Sequence, residues 1–226
     1  MSSDQRREVG NQAYNTSCCL VEVVERTPPS QQSKLVQFLY QLREKTVTDP
    51  ITSEPLKVDG EVVWTDLPTL GYTWADEINS FCKQLSVRLE DTPDKLQRWE
   101  NLSAYFARLT ASSSNMDFSR TGIWVLQTAF EPEKPLEREL AAIRMACFWL
   151  IYAADILWAN ANGRDNNGKD VGCGKRFQGR KWKGFSRDRW SFWEERLLEA
   201  QVIYTSGETK ELIEDALAQM KRASTE

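Results

Sequence analysis

The sequence predicts an all-α protein, a single irregular (orthogonal) bundle of six to seven helices around a buried central helix, with a long irregular N-terminal arm. From Thr73 onward, apolar residues recur at helical spacing, and strand signals are nearly absent. Helix start and stop signals separate these segments, such as Thr92-Pro93-Asp94 at one start and Asn162-Gly163 at one end. We therefore predict an arm over residues 1–72 and an all-α core domain over residues 73–226.

The arm is expected to hold one helix and one long loop. Residues 1–32 are predicted to be weakly ordered, with one short apolar run, CCLVEVVE, that is either a strand or a helical turn. Residues 33–46 space their leucines and a phenylalanine as a helix does. Residues 47–72 carry three prolines and two glycines, which predicts an irregular connection with a short hairpin around Asp59-Gly60.

The core helices follow in order. Thr73 is expected to cap the first, with Asp76 as its capping-box partner, and the second begins at Pro93. Residues 118–131 and 137–162 form the next two helices. A glycine-rich loop spans residues 163–184, and helices near 186–204 and 207–223 close the chain.

The stretch 141–159, AAIRMACFWLIYAADILWA, is the most apolar of the chain and is predicted to be the central core helix. Arg144 and Asp155 interrupt it only eleven residues apart, and no second hydrophobic stretch accompanies it. A membrane span needs about 20 mostly apolar residues. We therefore expect no membrane span.

Arg144 and Asp155 lie on one stripe of this helix, separated by about 16 Å along the axis. Phe148 and Trp158 share the stripe, and Tyr152 lies at its edge. Two interpretations stay open. Each charge pairs with a neighbouring helix, for example Asp155 with an arginine of the 118–131 or 186–204 helix, or the stripe lines a cavity in which the two charges contact a ligand.

The composition excludes several classes of site. The chain has no histidine, so a Ser-His-Asp triad, a Cys-His dyad and a histidine-ligated metal are excluded. Five cysteines without a CxxC pair indicate free thiols in a reducing compartment, and the polar N-terminus lacks the apolar core of a signal peptide. We expect a cytoplasmic protein without a cofactor or a metal site.

Residues 164–189 hold nine Lys/Arg against three Asp, a local net charge of +6 in a chain of net charge −4. The first interpretation is a solvated basic loop that packs its rings, Phe177, Trp182 and Phe185, on the core. The second is an anion- or phosphate-binding lid, and the third is a nucleic-acid surface, which the acidic chain as a whole does not favour. Within the following helix, Arg189 and Trp193 are spaced to stack.

Several segments together resemble a known family: RWENLSAYFARLT, FSRTGIWVLQTAFE, AAIRMACFWLIYAADILW and KWKGFSRDRWSFWEERL. They are similar to the fungal family described as domain of unknown function 3632, over roughly residues 74–224. The most specific match is the run Gly184, Phe185, Ser186, Arg189, Trp190, Phe192 and Trp193. The resemblance implies a fungal, intracellular all-α domain and a weak link to secondary metabolism, and it transfers no catalytic residue.

We expect a cofactor-independent enzyme of fungal secondary metabolism, of the cyclase, pericyclase or isomerase type, that binds a hydrophobic small molecule. The alternative is a non-catalytic binding or protein-interaction module, and a homodimer is left open for both. The expected catalytic residues are Arg144, Asp155 and Tyr152, and the expected substrate-binding residues are Phe148, Trp158, Trp124, Gln127 and Trp190.

Overall fold

The computed structural model describes residues 3–84, 93–112, 116–133, 135–136 and 140–225. These ranges contain eight α-helices and one two-stranded hairpin, which confirms the all-α prediction. The chain divides into two compact units, residues 1–88 and 89–226. The prediction placed a boundary between residues 72 and 73, whereas the third helix belongs to unit one.

Unit one opens with α1 (Ser3–Arg26), so the prediction that residues 1–32 are weakly ordered is wrong. The buried side chains in the described part of α1 fall at helical spacing: Ala13, Ser17, Leu20, Val21, Val24 and Glu25. Ser17 interrupts this apolar stripe, which hides the periodicity in the sequence. Its hydroxyl donates to the carbonyl of Ala13 and shares a 2.9 Å hydrogen bond with the hydroxyl of Thr69, so its burial is satisfied.

A short 3-10 helix (Pro29–Gln31) leads into α2 (Ser33–Arg43), and the loop after α2 contains the expected hairpin. Its strands, β1 (Lys57–Val58) and β2 (Glu61–Val62), are antiparallel, with Val58 opposite Glu61. The turn residues Asp59 and Gly60 have φ of +51° and +90°. A two-residue type I′ turn needs positive φ at both positions, and Asp-Gly is a favoured pair there.

The last helix of unit one, α3 (Leu70–Gln84), begins three residues before the predicted start. Thr73 therefore lies inside α3, where its hydroxyl donates to the carbonyl of Thr69 at 3.0 Å. The predicted capping role of Thr73 with Asp76 is wrong. The prediction failed because a threonine hydroxyl can also donate to the carbonyl four residues earlier, inside a helix.

Unit two consists of α4 (Pro93–Ser112), α5 (Ser119–Phe130), α6 (Leu140–Ala161), α7 (Arg187–Ile203) and α8 (Gly207–Thr225). Helix α6 is the centre of this unit and packs against the other four helices. The proposed cap of α4, Thr92, lies outside the described residues, as do residues 137–139 of the predicted 137–162 helix. The start of α4 at Pro93 is confirmed.

The ends of α6 and α7 follow their sequence signals. Past the end of α6, the N–H of Arg164 donates to the carbonyl of Ala159 and the N–H of Gly163 to that of Asn160, with Gly163 at φ +96°. This is a Schellman motif and confirms the predicted left-handed stop. At the start of α7, the hydroxyl of Ser186 accepts the N–H of Arg189.

One helix in the described part of the chain, α6, has the length and apolar composition of a membrane span. The protein itself buries 61% of the most apolar window of that helix. This burial is typical of a core helix and is consistent with the expectation of no span.

Candidate functional site

Arg144 on α6 lies in an ion pair with Glu100 on α4. The Nε donates to Oε1 at 2.5 Å and Nη2 donates to Oε2 at 3.0 Å. On the other side, Nη1 donates to the hydroxyl of Thr209 and Nη2 to a carboxylate oxygen of Glu208, both on α8. The hydrogen bond that Arg144 donates to Glu100 raises the pKa of Arg144 above its ordinary value. Each nitrogen of this guanidinium therefore has a partner within the protein.

Asp155 lies at the surface, with 59% of its side chain exposed, and pairs with Arg222 of α8 at 2.8 Å. Both charges of the α6 stripe are thus in ion pairs with neighbouring helices, as the first interpretation predicts. The partner of Asp155 comes from α8 rather than from α5 or α7.

Tyr152 and Phe148 form a stacked pair on the same side of α6, with ring centroids 6.3 Å apart. The guanidinium of Arg108 on α4 covers the Tyr152 ring at 3.8 Å from its centroid. Phe148 is 7% exposed. These two rings contribute to the packing between α6 and α4.

The remaining predicted residues lie around other helices. Trp158 contacts Trp190 of α7 at 5.5 Å between centroids, and Trp190 is 1% exposed. On α5, Trp124 lies beside Arg120, and the amide of Gln127 donates to the carbonyl of Gly172 at 3.4 Å. The structure therefore pairs Arg144 with α4 and α8, Asp155 with α8, Trp158 with α7, and Gln127 with the 163–184 loop.

A buried ion pair that the sequence analysis did not predict joins Glu131, at the end of α5, to Arg189 on α7. Their side chains are 1% and 0% exposed, and Nε of Arg189 lies 2.6 Å from Oε1 of Glu131. The indole N–H of Trp193 donates to the same carboxylate at 3.1 Å, and the Arg189 guanidinium covers the Trp193 ring at 5.2 Å. The predicted Arg189–Trp193 stacking is confirmed.

This ion pair holds the 163–184 loop in place. The Nη atoms of Arg189 donate to the carbonyls of Val171, Gly172 and Gly184, at 3.3, 3.1 and 2.9 Å. The carboxylate of Glu131 accepts the backbone N–H of Gly174 at 2.6 Å. The loop is thus fixed at four backbone positions by two buried side chains.

Gly184 closes the loop at a position that only glycine fits. Its φ is +59°, and an added Cβ would lie 2.6 Å from Cα of Lys169. The neighbouring residue Lys183 forms a bridge with Gly172 across the loop. The sequence marked this glycine only through the family resemblance.

Residues 175–183 of the loop present five exposed cations, which we call the basic surface: Lys175, Arg176, Arg180, Lys181 and Lys183. In the described part of the chain, no ion pair joins these side chains to a carboxylate, whereas Lys169 pairs with Asp165, and Arg120 with Asp170. Five positive charges within nine residues produce a concentrated local field.

Beneath the basic surface lies an aromatic cluster of Phe177, Trp182 and Phe192, with centroids 4.7–5.5 Å apart. Arg180 lies 5.0–6.0 Å from all three ring centroids. Phe177 and Trp182 are 8% and 7% exposed, so these rings pack on the core as the first interpretation of this segment predicts. The rings support the cations and do not present open faces to solvent.

A groove of about 700 Å³ lies within unit one, between α1 and the hairpin region. Arg7, Asp49, Lys57 and Asp59 line it with charges of both signs. The backbone N–H of Ile51 donates to Asp49 and holds the pKa of that carboxyl below its usual value. Among the described residues, no group of three or more cysteine or carboxylate side chains could hold a metal ion.

Fold and site together define a helical bundle that carries a basic surface loop, whose backbone is hydrogen-bonded to two buried side chains. The family described as "Protein of unknown function (DUF3632)" matches residues 18–197, and the chain belongs to this family. The match extends farther toward the N-terminus than the resemblance predicted and ends within α7. A search of curated proteins and a search of solved structures each found no match to the chain.

Proposed function

We propose that this protein is a non-catalytic binding module that holds an acidic partner on its basic surface. The observation that carries this proposal is the five exposed cations that have no carboxylate partner among the described residues. Elsewhere in unit two, Arg144, Asp155 and Arg189 each form an ion pair with another side chain of the protein.

The rigidity of the loop supports this proposal. The backbone on the two sides of the basic surface is fixed by Arg189 and Glu131, and Arg180 is held over the aromatic cluster. A surface whose backbone is already ordered pays less conformational entropy when a partner binds. The basic surface is therefore better suited to binding than a flexible run of lysines.

The test is fluorescence anisotropy with a labelled polyglutamate peptide at low and at physiological salt. We expect binding that weakens as salt rises, because exposed charges are screened. Lys181→Gln combined with Lys183→Gln should weaken it about two- to thirtyfold, from about 0.2–1 kcal/mol for each charge. The matched control, Lys34→Gln with Lys45→Gln, removes two exposed charges from unit one and should leave the affinity unchanged. Equal losses in both double variants would contradict the proposal.

The catalytic hypothesis stays a prediction, and its site residues stay candidates. It receives less support from the geometry, because the polar groups expected to act on a substrate, Arg144 and Asp155, are in ion pairs. The variants Arg144→Met and Asp155→Asn distinguish a catalytic role of these two residues from a purely structural one. If the natural protein converts a hydrophobic small molecule and a folded variant no longer does so, the result supports the catalytic hypothesis.

We further propose a cytoplasmic protein of fungal origin. The expected reducing compartment agrees with the thiols of Cys18, Cys19, Cys147 and Cys173, all of which are free. Fractionation of cells that produce the tagged protein tests this location, and recovery in the membrane fraction would contradict it.

A further inference from the structure

Beside the basic surface, unit two contains a groove of about 310 Å³ between the turn after α5 and the C-terminal half of α7. Pro135, Leu136 and Ile203 give it apolar walls. Arg176 of the basic surface lines the same groove, so the two features are continuous. The hydroxyl of Tyr204 donates to the carbonyl of Leu136 at 3.0 Å and holds the two sides together.

Arg196 is the second cation of this groove, and not every nitrogen of its guanidinium has a hydrogen-bond partner among the described residues. Its side chain is 15% exposed, Nη1 pairs with Glu199, and Nε is covered by protein and has no hydrogen-bond acceptor among the residues that the structure describes. Arg144 and Arg189 differ, since every guanidinium nitrogen of both has an acceptor. The buried Nε lies out of reach of a ligand, so a bound carboxylate would meet the Nη side of this guanidinium, for which a carboxylate is a strong acceptor.

One exposed apolar side chain of α7, Val202, lies near the groove, at 78% exposure. Val202 immediately precedes the wall residue Ile203, and at 100° per residue the two lie on adjoining faces. The groove thus places the apolar walls of Pro135, Leu136 and Ile203 beside two arginines.

We propose that this groove binds a segment of an acidic protein in which aspartate or glutamate alternates with apolar side chains. The carboxylates meet Arg176 and Arg196, and the apolar side chains meet Leu136, Ile203 and Val202. This inference rests on the proposed function and specifies its partner.

Two observations favour an acidic protein over nucleic acid. Glu133 and Glu199 also line the groove, and a phosphate backbone carries negative charge at every step, so it cannot avoid them. The rings of Phe177 and Trp182 are buried and offer no face on which a base could stack.

The experiment compares two labelled dodecapeptides in anisotropy titrations, one of polyglutamate and one in which glutamate and leucine pairs alternate. We expect the mixed peptide to bind about tenfold more tightly, from burial of about one leucine side chain. Arg196→Gln and Val202→Ser should each lower this ratio toward one. Val23→Ser, which removes an exposed valine from unit one, should leave it unchanged. Thermal unfolding checks that each variant is folded.

The outcomes separate this inference from the proposed function. A ratio near one in the natural protein, or one that survives both groove substitutions, overturns the inference. The proposed function then still stands if Lys181→Gln with Lys183→Gln weakens both peptides. If neither peptide binds, both proposals fail. If a single-stranded oligonucleotide displaces the mixed peptide at lower concentration than polyglutamate does, the partner is a nucleic acid and the inference is wrong.

Discussion

Removing the guanidinium of Arg189 should destabilise unit two more than removing any exposed charge. In Arg189→Met the carboxylate of Glu131 stays buried, with the N–H groups of Gly174 and Trp193 as its remaining donors. The carbonyls of Val171, Gly172 and Gly184 each lose a donor at the same time.

The expected loss in the free energy of unfolding is about 3–5 kcal/mol, the range for breaking a buried ion pair by removing one partner. This is a large fraction of the total stability of a typical domain, about 5–15 kcal/mol. Arg222→Met is the matched control, because its pair with Asp155 is 41% and 59% exposed. Exposed pairs contribute about 0–1 kcal/mol.

Urea unfolding followed by far-ultraviolet circular dichroism measures the difference, and hydrogen exchange over residues 171–193 locates it. The double variant Glu131→Gln with Arg189→Met should lose less than the sum of the single variants, since it leaves no unpaired buried charge. If Arg189→Met loses no more stability than Arg222→Met, the ion pair does not hold the loop and the reasoning fails.

Three further outcomes are expected. Gly184→Ala should lower the free energy of unfolding by about 1–3 kcal/mol, because residue 184 has a positive φ and an added Cβ would contact Lys169. Gly179 has open space around it, so Gly179→Ala should change this free energy little, and comparable losses for both variants in urea unfolding would contradict the prediction. Cys147 is fully buried, and burial raises the pKa of its thiol, so a thiol reagent should modify Cys19 and not Cys147 in the native protein. Peptide mass mapping measures the modification, and early modification of Cys147 would refute its burial. Glu100→Gln should lower the free energy of unfolding by about 3–5 kcal/mol, because Arg144 then lacks its bidentate partner. Thermal or urea unfolding measures the loss, and a loss below about 1 kcal/mol would show that Glu208 alone is a sufficient partner for Arg144.

Local signals predicted much of the fold. Asp59-Gly60, Pro93 and Gly163 each mark an element boundary through backbone geometry that few other residues adopt. Helix α1 escaped prediction because a serine occupies its buried stripe, and the hydroxyl partner of that serine, Thr69, lies 52 positions away. No local pattern can reveal such a distant partner.

The candidate site was less predictable for the same reason. The basic segment and its buried rings were evident from composition and spacing, as was the stacking of Arg189 on Trp193. The pairing of Arg189 with Glu131 joins residues 58 positions apart, and the sequence offers several other carboxylates. Only the fold selects the one that is buried beside it.

The two charges of α6 have a shared structural consequence. Arg144 contacts residues 208 and 209 of α8, and Asp155 contacts Arg222, so α8 runs along α6 in the same direction. The buried side chains of α8 between these contacts, Ile213, Ala216 and Met220, are apolar and could pack at more than one register. A slide of α8 by one helical turn, about 5.4 Å, would separate both ion pairs at once. The charges that interrupt the most apolar helix of the chain therefore favour this alignment of α8, with a small contribution from the exposed Asp155–Arg222 pair.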